Sequence, residues 1–195
     1  INPSGGSTSI FVPLEHTVLS GAVAPVERTR AFARYSLIGA LAGAFGSLLA
    51  GMPEWLSLFD IGKLAAIKIM FVAYAALGVL GGLAYRGIPA ATRMPRSTPQ
   101  PARALGPSRR IVYRLAALFS IDSFAGGFVV QSLLALWLFE RFDLSLTAAS
   151  VFFFWTGILS AFSFPVAARI GARIGLVNTM VFTHIPSSLC LIAAA

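Results

Sequence analysis

Five apolar stretches, Tyr35 to Pro53, Ile69 to Tyr85, Leu115 to Phe139, Leu144 to Ala168 and Ile174 to Ala195, share a single formal charge, Asp122. A bilayer core roughly 30 Å thick takes about 20 helical residues to cross. The pattern predicts an all-α fold, a polytopic transmembrane helix bundle. Composition agrees: 57% of the 195 residues are hydrophobic, the mean hydropathy is +0.81, and only 11% are charged, against about 25% in soluble domains. A water-soluble core could not hide so much apolar surface, whereas lipid can.

Six spans are expected, at about 1–24, 31–52, 63–86, 112–139, 146–168 and 175–195, labelled A to F. Span A is the least regular, with a loop-like start and Pro13 as a kink. Span B carries Gly39-xxx-Gly43, a spacing that bares two backbone patches on one face for close helix approach. Residues 87–109, rich in Pro, Arg, Ser and Thr, lack the apolar side chains for a core and are expected to form a solvated linker. That linker divides the chain into residues 1–86, the end of one helical bundle, and 110–195, the start of a second. The chain begins at Ile1 and stops inside an apolar run, as expected of an internal piece of a longer protein.

Charge sets the orientation. The loops after spans A, C and E, with their flanks, hold Arg28, Arg30, Arg34, Arg86, Arg93, Arg96, Arg103, Arg109, Arg110, Arg114, Arg169 and Arg173, which is 12 of the 15 basic residues. The opposite side has Lys63, Lys68 and Arg141, together with the acids Glu54, Asp60, Glu140 and Asp143. The positive-inside rule makes the arginine-rich side cytoplasmic. It also accounts for the net charge of +8 without a nucleic-acid partner. Tyr35, Trp55, Tyr85, Tyr113 and Trp137 fall at span ends, where amphipathic rings suit the headgroup layer.

Few residues could carry chemistry inside such a bundle. Asp122 lies in the first half of span D. A carboxylate in lipid is costly, so it is expected to face the bundle interior or a wet cavity, and partial desolvation there suits reversible proton binding. Gln131, nine residues on, falls on the opposite face of a straight helix, unless Gly126-Gly127 bends the span. Glu15 and His16 are adjacent in span A. Glu15 could bind a proton or a cationic substrate within the membrane, and an imidazole exchanges protons near neutral pH. His184, beside Pro186 in span F, reads as a structural histidine, and Lys63 and Lys68 as snorkelling anchors. The sequence holds no GxSxG, HExxH, Walker A or GxGxxG pattern. Two histidines and the lone Cys190, on separate spans, make no recognisable metal site. No cofactor is expected.

The helix order, the basic mid-chain linker and one short motif resemble the major facilitator superfamily of secondary transporters. Arg173-Ile174-Gly175, after Ala167-Ala168-Arg169-Ile170-Gly171, is similar to the superfamily's signature cytoplasmic loop G-x-L-A-D-R-x-G-R-R, with Arg173 and Gly175 matching, Ala172 in place of the Asp and Leu176 in place of the next Arg. Pro25-Val26-Glu27-Arg28-Thr29-Arg30 resembles the usual entry into the fifth helix. The resemblance implies that spans A to F are roughly helices four to nine of twelve and that the linker is the central cytoplasmic loop. It also implies that Glu15 and Asp122 sit on cavity-lining helices and that His184 sits on a peripheral one. The antiporter Gly-Pro of the fifth helix and the characteristic fourth-helix Arg are absent, so drug–proton antiport is not favoured over symport or uniport.

The implied function is secondary transport by alternating access, not catalysis. Its partners are the bilayer, a small-molecule substrate and protons, and its setting is a bacterial inner (plasma) membrane. The expected site set is Asp122, Glu15, His16 and Gln131, with Arg169, Arg173 and Gly175 as the cytoplasmic loop. The competing readings are a membrane-embedded lipid or acyl-group transferase and a non-transporting scaffold. A transferase calls for polar residues clustered at one membrane face, and here they are scattered over three spans.

Overall fold

The computed structural model describes residues 12–86, 109–126 and 131–194. Among them are eight α-helices: α1 (Val12–Ala22), α2 (Arg28–Leu49), α3 (Met52–Ser57), α4 (Lys63–Arg86), α5 (Arg109–Gly126), α6 (Gln131–Phe142), α7 (Leu146–Ile174) and α8 (Leu176–Ala194). A 3-10 turn, Pro25–Glu27, leads into α2. Three helical stretches of the described residues, Pro25–Ser57, Lys63–Arg86 and Leu146–Ile174, are long and apolar enough to cross a membrane, with mean hydropathies of 1.5, 2.0 and 1.7.

The outer surface is oily, as lipid requires. On α4, Phe71, Val72, Tyr74 and Leu77 are each about two-thirds or more exposed, and Ala66 is its one buried residue. Exposed apolar surface on this scale marks a membrane or an interaction face. Helix hydroxyls turn inward onto their own backbone. Thr17, Ser47, Ser120, Thr179 and Thr183 each donate to the carbonyl four residues back, and Ser150, Thr156 and Ser163 to the one three back. Such bonds satisfy a polar side chain without a second helix or water.

The chain divides into two compact units, one of residues 1–18 with 68–145, the other of residues 19–67 with 146–195. In the second unit the dominant packing is α2 against α7. Among the shielded residues, one stripe on α2 holds Ala33, Leu37, Ala40, Ala44 and Ser47, and one on α7 holds Ser150, Phe154, Gly157, Ala161, Pro165, Ala168 and Gly171. Both sets recur at intervals of three and four, one stripe per helix. Gly51 lies beside Ser150 and Thr147, and Ala44 beside Gly157, so the helices run antiparallel. Phe45 and Phe154 stack tilted at 5.5 Å beside the Ala44–Gly157 crossing.

Two sequence expectations need correcting. The glycines of span B expected to mediate close packing meet no described helix: beyond the backbone of α2 itself, no described atom lies within 4 Å of a Cβ built on Gly39, Gly43 or Gly46. They fall outside the Ala40–Ala44–Ser47 stripe, and the close approach uses Ala44 against Gly157 of α7 instead. There a Cβ on Gly157 would lie 2.8 Å from that of Ala44. The loop expected after residue 168 is helical, because α7 runs on to Ile174. Its Ala, Arg and Ile residues sustain a helix beyond the apolar zone. Span D is described over α5, to Gly126, and α6, from Gln131; residues 127–130 lie outside the described residues.

Candidate functional site at the two ends of the α2–α7 seam

The first amides of a helix have no acceptor within it and carry its positive dipole end. At the start of α7 they find a carboxylate. Glu54 of α3 accepts from the backbone N–H of Leu146 at 2.7 Å through one oxygen, and from that of Thr147 at 2.8 Å through the other. The short connection at Gly51 brings α3 into place, and Gly51 is required there: a Cβ would stand 2.6 Å from Ser150 Oγ and 3.3 Å from Thr147 Cα. This end of the seam is closed by a charge-assisted cap reaching across 92 residues of sequence.

The opposite end is open. A cavity of about 790 Å³ lies between the first turns of α2 and the last turns of α7, and four arginines line it: Arg30, Arg34, Arg169 and Arg173. Each pair is spaced i, i+4, on one helix face. Glu27 also lines the cavity. Arg28 does not, because its Nε donates to the Ser20 carbonyl in the last turn of α1 at 3.1 Å. Pro165, Ala168 and Gly171 of α7 also line it.

Gly175 is the single residue between α7 and α8. Its φ of +85° is left-handed, a conformation that costs an L side chain about 1–2 kcal/mol. Its N–H bonds the Gly171 carbonyl at 3.0 Å, and its own carbonyl accepts from Thr179 at 3.1 Å. Gly171 is buried, and a Cβ there would stand 3.1 Å from Leu176 Cδ2. Gly175 breaks the helix direction between α7 and α8, and Gly171 leaves room for Leu176 at the start of α8. Of the signature residues, Arg169 and Arg173 ride on helix and only Gly175 is connection.

In the first unit, Glu15 of α1 accepts a hydrogen bond from the hydroxyl of Tyr85, one residue from the end of α4. That pairing puts Glu15 within a tyrosine's reach of the basic end of α4. His16, its neighbour, is exposed. Asp122 belongs to α5, and its side chain lies outside the described residues; Gln131 opens α6 and is exposed. His184 Nδ1 lies 2.9 Å from the Met180 carbonyl on its own helix.

Sequence reasoning missed Glu54, which it counted only as an outer-side acid, and the partnership of Tyr85, which it placed as an interfacial ring. No local signal marks either pairing. The i, i+4 spacing of the arginines was visible, but their meeting round one cavity was not.

The sequence profile of the Major Facilitator Superfamily matches residues 4–195, nearly the whole chain. The chain belongs to the Major Facilitator Superfamily. This transporter superfamily fits the oily surface and the all-helical fold, and the protein is an integral, multi-pass membrane transporter. No curated protein and no solved structure gives a significant match to it.

Proposed function

We propose that this major facilitator protein is a secondary active transporter that moves a small solute by alternating access, with the basic end of its helices in the cytoplasm of a bacterial cell. The observation that carries the reading is the asymmetry of the α2–α7 seam. These helices come from either side of the 87–108 segment, and they are latched at one end by Glu54 and separated at the other by a 790 Å³ cavity. Rocking about the small-residue crossing at Ala44 and Gly157 would exchange which end is open, as the two bundles of such transporters do around a midplane site. In this reading residues 1–86 and 110–195 belong to the two bundles, and α2 and α7 are the fifth and eighth helices.

Asp122 binds the coupling proton, since a charged carboxylate in a membrane span is costly and protonation relieves that cost. Glu15, His16 and Gln131 contribute to proton or substrate binding, with Tyr85 holding Glu15. Spin labels replacing Arg34 and Arg169 report one end of the seam, and labels replacing Trp55 and Ala148 report the other. In proteoliposomes the two distances are expected to change in opposite directions as pH is varied, and Asp122→Asn is expected to abolish that pH response. A single unchanging distance at both ends would overturn alternating access. A pH response that survives Asp122→Asn would remove Asp122 from proton coupling.

A further inference from the structure

Orientation by positive charge requires only that arginines lie at one end of the helices. It does not require them to converge. Here Arg30 and Arg34 on α2, and Arg169 and Arg173 on α7, line one cavity from two sides, four guanidiniums against the single carboxylate of Glu27. Among the described residues none of the four forms an ion pair or a hydrogen bond, while the nearby Arg28 is engaged by the Ser20 carbonyl. Like charges gathered round a cavity repel, and an anion within it reverses that repulsion. A guanidinium presents a planar fork of donors that matches the oxygens of a phosphate group, two bonds at a time. The cavity is also at the right level. It lies where α2 begins and α7 ends, beyond the apolar body of both helices, and its volume of about 790 Å³ accommodates a phosphate with its ester substituents. Basic pockets between spanning helices on the cytoplasmic side are suited to anionic head groups.

We propose that the cavity between the basic ends of α2 and α7 is a binding site for a phosphate group, held by arginines from both helices. The proposal is independent of alternating access and of Asp122. The phosphate could be supplied by an acidic phospholipid head group or by a soluble phosphate, and the test separates them. Purified protein in a neutral detergent is titrated with dihexanoyl phosphatidylglycerol in one arm and inorganic phosphate in the other, with sodium chloride at matched ionic strength as the blank, and the melting temperature is read. A rise with the lipid alone assigns the site to head groups; a rise with inorganic phosphate assigns it to soluble phosphate.

Each basic residue near such a group contributes about fivefold in affinity. The pair Arg169→Gln and Arg173→Gln is therefore expected to raise the probe concentration needed for a given rise in melting temperature roughly twenty-five-fold. The pair Arg30→Gln and Arg34→Gln, on the other helix, is expected to do the same, so misfolding of one variant leaves the other as the test. Arg109→Gln with Arg110→Gln removes equal charge from α5, outside the cavity, and is expected to leave the response unchanged. The proposal is overturned if neither probe raises the melting temperature above the blank, or if the α5 pair weakens the response as much as the cavity pairs do.

Discussion

Replacing Glu54 with Ala removes the carboxylate that accepts the first two amides of α7. Two bonds are lost, at 2.7 and 2.8 Å, each from a backbone N–H to a half-buried carboxylate. A helix cap is commonly worth about 0.5–2 kcal/mol, and a favourable charge at a partly buried helix terminus adds up to about 2 kcal/mol. Glu54 supplies both, from a position where water replaces it poorly, so a loss of about 2.5 kcal/mol is expected. For a chain of this size each kcal/mol lowers the melting temperature by about 2–4 °C, so the expected fall is roughly 5–10 °C. Glu54→Gln keeps one acceptor oxygen but turns an amide donor toward the second N–H, and should fall in between. The assay is thermal unfolding in detergent followed by helical circular dichroism. Glu140→Ala serves as control, since Glu140 is an exposed acid at the end of α6 and its removal changes net charge equally. The same loss should widen the Trp55–Ala148 spin-label distance, because the latch closes that end. If Glu54→Ala melts within a degree or so of Glu140→Ala, the cap contributes nothing and the reasoning fails.

Gly157→Ala should destabilise the α2–α7 crossing by about 1–3 kcal/mol, since its Cβ would meet the Ala44 Cβ at 2.8 Å and Cα at 3.1 Å, neither of which can swing away. Adding Ala44→Gly should recover part of that loss, and strictly additive melting temperatures for the double variant would disprove the contact. Gly175→Ala should cost about 1–2 kcal/mol from its left-handed φ of +85°, and Gly175→Asn less, because Asn tolerates that region; equal melting of the two would refute the assignment.

Hydropathy placed α2, α4 and α7 well, and each matches its expected span closely at the start. Partition between oil and water depends on the composition of a window, so it can be read without knowing any contact. The end of α7 was harder. Arg169 and Arg173 signalled departure from the apolar zone, and departure was equated with loop, although arginine sustains a helix as well as leucine does. Gly39 and Gly43 misled for a related reason. A glycine pair permits close approach, but whether a neighbour takes it up depends on how the helix is rotated, and here the Ala44 stripe, about one residue round, meets α7. The site was legible only in its ingredients: the i, i+4 arginine pairs and the sparse intramembrane acids could be named from the chain alone.

The amino-acid order by itself determined a helical membrane protein with its arginines gathered at one end, because burial in lipid and the sidedness of charge act on each segment separately. The tertiary structure decided which segments meet: Glu54 with the amides of Leu146 and Thr147, Tyr85 with Glu15, and four arginines of two helices round a single cavity. Those meetings depend on the rotation and register of one helix against another. Rotation and register are set by small-residue packing between positions more than a hundred residues apart, such as Ala44 and Gly157, which no local pattern encodes.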